Sequence, residues 1–223
     1  MRRLSLPILG VLLSISAVDV GRAQELAVGF RGGLAITSAD FEGSLLESTS
    51  SRTGWSGGLV LSALITRTVE LQTGGWISKK GFDGVDSSGG TTEVDQTYFE
   101  IPMLIGVRIP GKISPHLLTG PVLGLELSCN LTAPNFPNGV NCDDPIDAPR
   151  TKGADFGILF GAGVEASVGR VSLIADALYN LGLTDISEFS VGGQISSIKS
   201  RAFYLSVGVL WPVGGTRGTE PQL

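Results

Sequence analysis

The sequence predicts an all-β chain folded as an eight-stranded antiparallel up-and-down transmembrane β-barrel, and three observations carry that prediction. Between residues 53 and 213, segments of ten to fifteen residues alternate apolar with small or polar side chains, the period-2 pattern of strands. The breaks between segments are alternately short and long, as periplasmic turns and outer loops are in such barrels. After residue 23 no uncharged apolar stretch approaches the roughly 18 residues of a transmembrane helix, so the apolar content belongs to strands.

The first residues set the compartment. Arg2 and Arg3 precede an apolar run from Leu4 to Val18, followed by Gly21-Arg22-Ala23, the pattern of a secretory signal peptide cleaved after Ala23. That run is short of the roughly 20 residues a spanning helix needs. The domain plan is therefore a signal peptide over residues 1–23, one barrel domain over 24–213 and a polar tail over 214–223. The leader holds Arg2, Arg3, Arg22 and Asp19, so 16 basic and 21 acidic residues become 13 and 20, a net charge of −7. Such a balance argues against a nucleic-acid partner. Glycine is 32 of 223 residues and charged residues are only 17%, which suits strands packed closely on a lipid-facing wall.

Each strand divides into two faces. Over residues 26–37, Val28, Phe30, Leu34 and Ile36 oppose Ala27, Gly29, Arg31, Gly33 and Ala35. Over 53–64, Trp55, Leu59, Leu61 and Ala63 oppose Ser56, Gly58, Val60 and Ser62. The third strand sets Val69, Leu71 and Ile77 against Glu70, Gln72, Trp76 and Ser78. Over 97–109 the row Phe99, Ile101, Met103, Ile105, Val107 and Ile109 opposes Glu100, Pro102, Leu104, Gly106 and Arg108. Over 113–128, Leu117, Leu123, Leu125 and Leu127 oppose His116, Gly120, Gly124 and Glu126, with Pro115 and Pro121 predicting a bulge or a frayed end. Over 155–168, Phe156, Ile158, Phe160, Val164 and Val168 oppose Asp155, Gly157, Gly161, Gly163 and Glu165. Over 171–182, Leu173, Tyr179 and Leu181 oppose Ser172, Asp176 and Asn180. Over 201–213, Phe203, Leu205, Val207, Val209 and Trp211 oppose Ala202, Ser206 and Gly208.

Eight is an even count, and each strand meets the ~9–11 residues of a tilted crossing. Short breaks at 65–68, 110–112 and 169–170 alternate with long ones at 38–52, 81–95, 129–152 and 183–200, which places both termini in the periplasm. A soluble eight-stranded lipocalin-like barrel has its apolar face inside. Here the charges share a face with glycine and serine while the opposite face is nearly charge-free, so lipid lies outside and outer-membrane lipids are the first partners.

Eight strands enclose only enough room for side chains. The inward polar residues Arg31, Glu70, Glu100, Arg108, His116, Glu126, Glu165 and Asp176 are read as a lumen network that plugs the barrel and holds its register. Pairing across the turns sets Glu70 opposite Arg108, His116 by Glu165, and Glu126 by Asp155. His116 is the chain's one histidine, and Ser114 and Glu165 complete a Ser-His-Glu hydrolase triad on paper, weaker than the structural reading. No His or Cys spacing for a metal and no phosphate-cradling glycine loop occurs, so neither metal nor cofactor is expected. Cys129 and Cys142 are the only cysteines of an exported chain and are expected to form a disulfide across the longest loop, worth ~3 kcal/mol. That loop carries Asp143, Asp144 and Asp147, candidates for a divalent cation or a partner. Trp55, Tyr98, Tyr179, Phe189 and Trp211 lie toward strand ends, as an interfacial aromatic girdle does.

Several blocks together resemble the small outer-membrane β-barrel domains often labelled porin-like: Gly32-Gly33-Leu34, Thr53-Gly54-Trp55-Ser56-Gly57-Gly58-Leu59, Ser78-Lys79-Lys80-Gly81, Tyr98-Phe99-Glu100-Ile101-Pro102 and Asn180-Leu181-Gly182-Leu183-Thr184-Asp185-Ile186. The likeness runs in order from about Val28 to Val213. It implies an eight-stranded barrel in the outer membrane of a Gram-negative-type cell, assembled by the barrel assembly machinery, and no single activity. One departure stands out: Trp211 is followed by Pro212 and a polar tail, whereas such barrels end on an aromatic residue, so the assembly signal is read internally over residues 203–211 or targeting is atypical. The expected function is a structural or surface-interaction barrel, without enzymatic activity, that meets extracellular ligands through its long loops. A narrow pore for small solutes or ions stands second and an outer-membrane lipid hydrolase third.

Overall fold

The computed structural model of the chain describes residues 25–42, 48–85, 91–134, 136–142, 153–184, 190–191, 194–195 and 197–213. The signal peptide, the polar tail, Phe189 and the acids at 143, 144 and 147 lie outside them. The strands are β1 (Glu25–Glu42), β2 (Ser48–Leu64), β3 (Val69–Val85), β4 (Thr91–Arg108), β5 (Ile113–Ala133), β6 (Phe136–Asn141), β7 (Ala154–Val168), β8 (Val171–Gly182), β9 (Ser190–Val191), β10 (Gln194–Ile195) and β11 (Ser197–Val213). Eight of them, β1 to β5 with β7, β8 and β11, pair antiparallel with their neighbours, and β11 returns to β1 to close the barrel. The short β6 continues the wall beside β5 after the β5–β7 pairing ends, and among the described residues β9 pairs with β10.

Side-chain direction follows the alternation. Val207 on β11 is 67% exposed while Leu210 on the same strand is 0% exposed, and the exposed set is apolar all round the wall. Exposed apolar residues outside and buried charges inside are the arrangement of a barrel solvated by lipid.

The strands run further than their apolar alternation. β1 continues to Glu42, β2 begins at Ser48, β3 reaches Val85, β4 begins at Thr91 and β5 reaches Ala133, so the expected long breaks shrink. Backbone ladders need no apolar partner face, so pairing persists where the sequence turns polar. Pro115 and Pro121 sit opposite Val164 and Ile158 within continuous β5–β7 pairing, while on the other side the β4–β5 ladder skips Gly120 and Pro121 without a change of register. β5 takes part in two register shifts: one against β4 at Thr97/Tyr98, where Thr97 faces Ser128 and Tyr98 faces Glu126, and one against β6 between Leu131 and Ala133. A third shift, between Ser51 and Ser56, lies on the β2–β3 ladder.

The expected cross-strand pairs are displaced by two residues. Glu70 faces Gly106, Arg108 faces His116, His116 faces Gly163, and Asp155 faces Gly124. A slip of two keeps every side chain on its face, so the face assignment survives while the partners change.

Candidate functional site

Seven of the eight expected lumen residues, Arg31, Glu70, Glu100, Arg108, His116, Glu165 and Asp176, are buried inside the barrel, and Glu126 is half-buried. Among the described residues their contacts gather into two groups. One cluster gathers Arg31, Glu70, Arg108, His116, Glu165 and Asp176. Arg31 of β1 pairs with Asp176 of β8, and its guanidinium stands 4.9 Å from the centre of the Trp76 ring, in cation–π range. His116 of β5 reaches the same carboxylate, with Nε2 2.7 Å from Asp176 Oδ1. A carboxylate only accepts, so that nitrogen carries the hydrogen.

β7 stands between β5 and β8, and Gly163 is what lets those two side chains meet. A Cβ at 163 would collide with both the His116 ring and the Asp176 carboxylate. Beside them Arg108 Nη1 lies 3.2 Å from Glu165 Oε2, and Ser62 Oγ donates to Glu70 Oε2 at 3.4 Å.

The second cluster centres on Glu100. Its carboxylate takes Lys80 Nζ at 2.6 Å, Ser78 Oγ at 2.7 Å and the Tyr204 hydroxyl at 3.0 Å. Lys80 also stands 4.9 Å from the Tyr98 ring centre. Tyr98 and Gln96 donate in turn to Glu126 Oε2, at 3.3 and 3.0 Å. Lys80, Tyr204 and Gln96 do not stand out in the sequence, although Lys80 shares parity with Trp76 and Ser78, and Tyr204 with Ala202 and Ser206. Tyr98 is a correction: it is 2% exposed inside the barrel and not an interfacial residue, because its neighbour Phe99 takes the outward position. Trp55 and Trp211 are exposed on the outer wall as expected.

Between the clusters lies an apolar layer in which Leu104, Leu118, Leu159 and Leu178 pack with Trp76 and Tyr204. The two rings meet edge-on at 6.2 Å. Trp76 carries Arg31 of one cluster and Tyr204 bonds Glu100 of the other, so the layer touches both charged groups. At the loop end Cys129 and Cys142 form a disulfide, buried with Val94, that ties β5 to the end of β6. Cys142 N donates to Cys129 O at 3.1 Å alongside it.

The Ser-His-Glu triad is not assembled. Ser114 Oγ donates to Gly111 O at 2.9 Å, His116 turns to Asp176, and Glu165 takes Arg108. Among the described residues no group of three or more His, Cys, Asp or Glu is placed to hold a metal ion.

The sequence profile of the outer membrane protein β-barrel domain matches residues 22–188. No curated protein matches the sequence. Among solved structures, Ail, the attachment invasion locus protein of Yersinia pestis, is 15% identical and aligns over 84% of this chain and 100% of its own, with a TM-score of 0.46. Neisserial surface protein A is 14% identical over 83% and 96%, with a TM-score of 0.48. OprG of Pseudomonas aeruginosa is 12% identical over 86% and 98%, also at 0.48.

Proposed function

The chain belongs to the outer membrane protein β-barrel domain family, and on that premise we propose that it serves as a non-conducting surface barrel whose long loops, rather than its lumen, meet its partners. The single observation that carries this reading is the apolar layer of Leu104, Leu118, Leu159, Leu178, Trp76 and Tyr204, packed between two buried charge clusters. An ion crossing it would shed its hydration among leucine side chains, with only the Trp76 indole N–H and the Tyr204 hydroxyl, which Glu100 already holds, as polar groups, and that costs several kcal/mol. In this reading the long loops face outward, both termini are periplasmic, outer-membrane lipids cover the exposed apolar wall and the barrel assembly machinery inserts it.

Conductance of the pure protein in planar bilayers tests the proposal. The expected outcome is a silent membrane. Steady unitary currents would favour the narrow pore instead, with the buried charges as its lining.

A further inference from the structure

Four buried side chains around Arg31 carry polar atoms with no hydrogen-bond partner among the described residues. Arg31 Nε and Nη1 on β1 have hydrogens to donate, and so has the indole Nε1 of Trp76 on β3. Glu70 Oε1 and Gln72 Oε1, also on β3, are acceptors without a donor. None of the four residues is more than 6% exposed. Asp176 holds the Nη2 end of the guanidinium and Ser62 reaches Glu70 Oε2, so each residue is satisfied at one atom at most. Native proteins pair nearly all such buried atoms with protein or with ordered water.

The strand order gathers these atoms. β2 lies between β1 and β3, and its Gly58 stands opposite both Arg31 and Trp76. With no side chain at that inward position, the Arg31 guanidinium crosses β2 to stand 4.9 Å from the centre of the Trp76 ring. A Cβ built at 58 has backbone atoms of β3 as its three nearest neighbours, not the tip of a side chain. Gly208, opposite Arg31 on its other flank, also brings no side chain to the lumen. Glu70 is near enough for its charge to act on Arg31. The demand is therefore of both signs within one place. A cation there would suit Glu70 and Gln72 and be repelled by Arg31, while an anion would suit Arg31 and Trp76 and be repelled by Glu70. A small neutral molecule that both donates and accepts answers all of them.

We propose that Arg31, Glu70, Gln72 and Trp76 form a built-in hydration site, in which ordered water accepts from Arg31 and Trp76, donates to Glu70 and Gln72, and so ties β1 to β3 across Gly58. Buried waters in such sites make about three hydrogen bonds each, which matches a place that offers both donors and acceptors. Trp76 also belongs to the apolar layer, so the hydrated space ends where the leucines begin. The inference goes beyond the surface-barrel reading and stands whether or not the barrel conducts.

A crystal structure of the full chain at a resolution that shows individual waters tests this, with parallel crystals soaked in rubidium chloride and in sodium bromide. The expected result is an ordered peak within about 2.7–3.2 Å of Arg31 Nε or Trp76 Nε1 and of Glu70 Oε1 or Gln72 Oε1, with no anomalous signal from either salt. A rubidium or bromide signal at that peak would make it an ion site and overturn the inference. So would Arg31 turned onto Glu70 in a direct ion pair with no peak between them. Proton-detected NMR of the protein folded in lipid vesicles gives a second reading. The Trp76 indole N–H, assigned by its loss in Trp76→Phe, should receive magnetisation from water, and the methyl groups of Leu104 and Leu118 should not. Silence at the indole overturns the hydration site. Water reaching both the indole and the leucine methyls would keep the site and sink the apolar barrier of the surface-barrel reading instead.

Discussion

His116 and Asp176, 60 positions apart on strands that are not neighbours, share a hydrogen bond of 2.7 Å across the missing side chain of Gly163. The strand between them is bridged because it has nothing there to block the contact. Gly163→Val should therefore cost about 2–5 kcal/mol, from overpacking together with a broken buried hydrogen bond. Urea unfolding of the vesicle-inserted protein, followed by tryptophan fluorescence, measures this. A Cβ at Gly153 would meet nothing within 4 Å, so Gly153→Ala is a control that should be silent.

Lys80 and Glu100 form the tightest described ion pair of the second cluster, at 2.6 Å and almost without exposure. Lys80→Met alone strands a buried carboxylate and should cost about 3–5 kcal/mol, as should Glu100→Leu alone in stranding the ammonium. The double variant removes both charges and should be less damaging than the sum of the singles. A double-mutant cycle by the same unfolding assay reads the coupling; strictly additive costs would mean the two groups do not hold each other.

The eight crossings were legible in the sequence because lipid enforces alternation on every residue that touches it, as in the row from Phe99 to Ile109. Strand ends were not. Around Ser48 to Arg52 and Thr91 to Gln96 the residues are mostly polar, so period-2 patterning has nothing to report although the ladders continue. The lumen was legible by parity, which placed Arg31, Glu70 and Asp176 inside. Partners were not, because a two-residue slip preserves every face: Glu70 meets Gly106 where Arg108 was expected, and Arg108 turns to Glu165. The same parity rule, applied to Tyr98 next to the outward Phe99, would have moved that tyrosine from the girdle to the interior. The contact through Gly163 depends on three strands at once and has no local signature.

The disulfide between Cys129 and Cys142 closes β5 onto the end of β6, beyond the part of β5 that pairs with β7. Its removal should loosen that segment and leave the barrel intact. Cys129→Ser/Cys142→Ser is expected to forfeit about 3 kcal/mol of local stability. Limited proteolysis should then cut between residues 126 and 153 while heat-modifiable migration of the barrel persists. Collapse of the folded band would mean that the staple holds the whole barrel.

Val207 tests which solvent covers the wall. It lies on β11 between Phe203 and Trp211, faces Gly32 on one side and Ala175 on the other, and is 67% exposed. On a water-covered surface, Val207→Lys would change stability by no more than about 0.5 kcal/mol. In lipid the same charge, placed midway along the strand with aromatic residues toward either end, should cost about 2–4 kcal/mol. Val207→Leu keeps the apolar character and should be close to neutral in either solvent, which separates charge from shape. Unfolding titrations of the three proteins in vesicles distinguish the cases: a lysine variant as stable as wild type would mean that water wets this face, and the lipid-facing assignment of the exposed apolar row would fall with it.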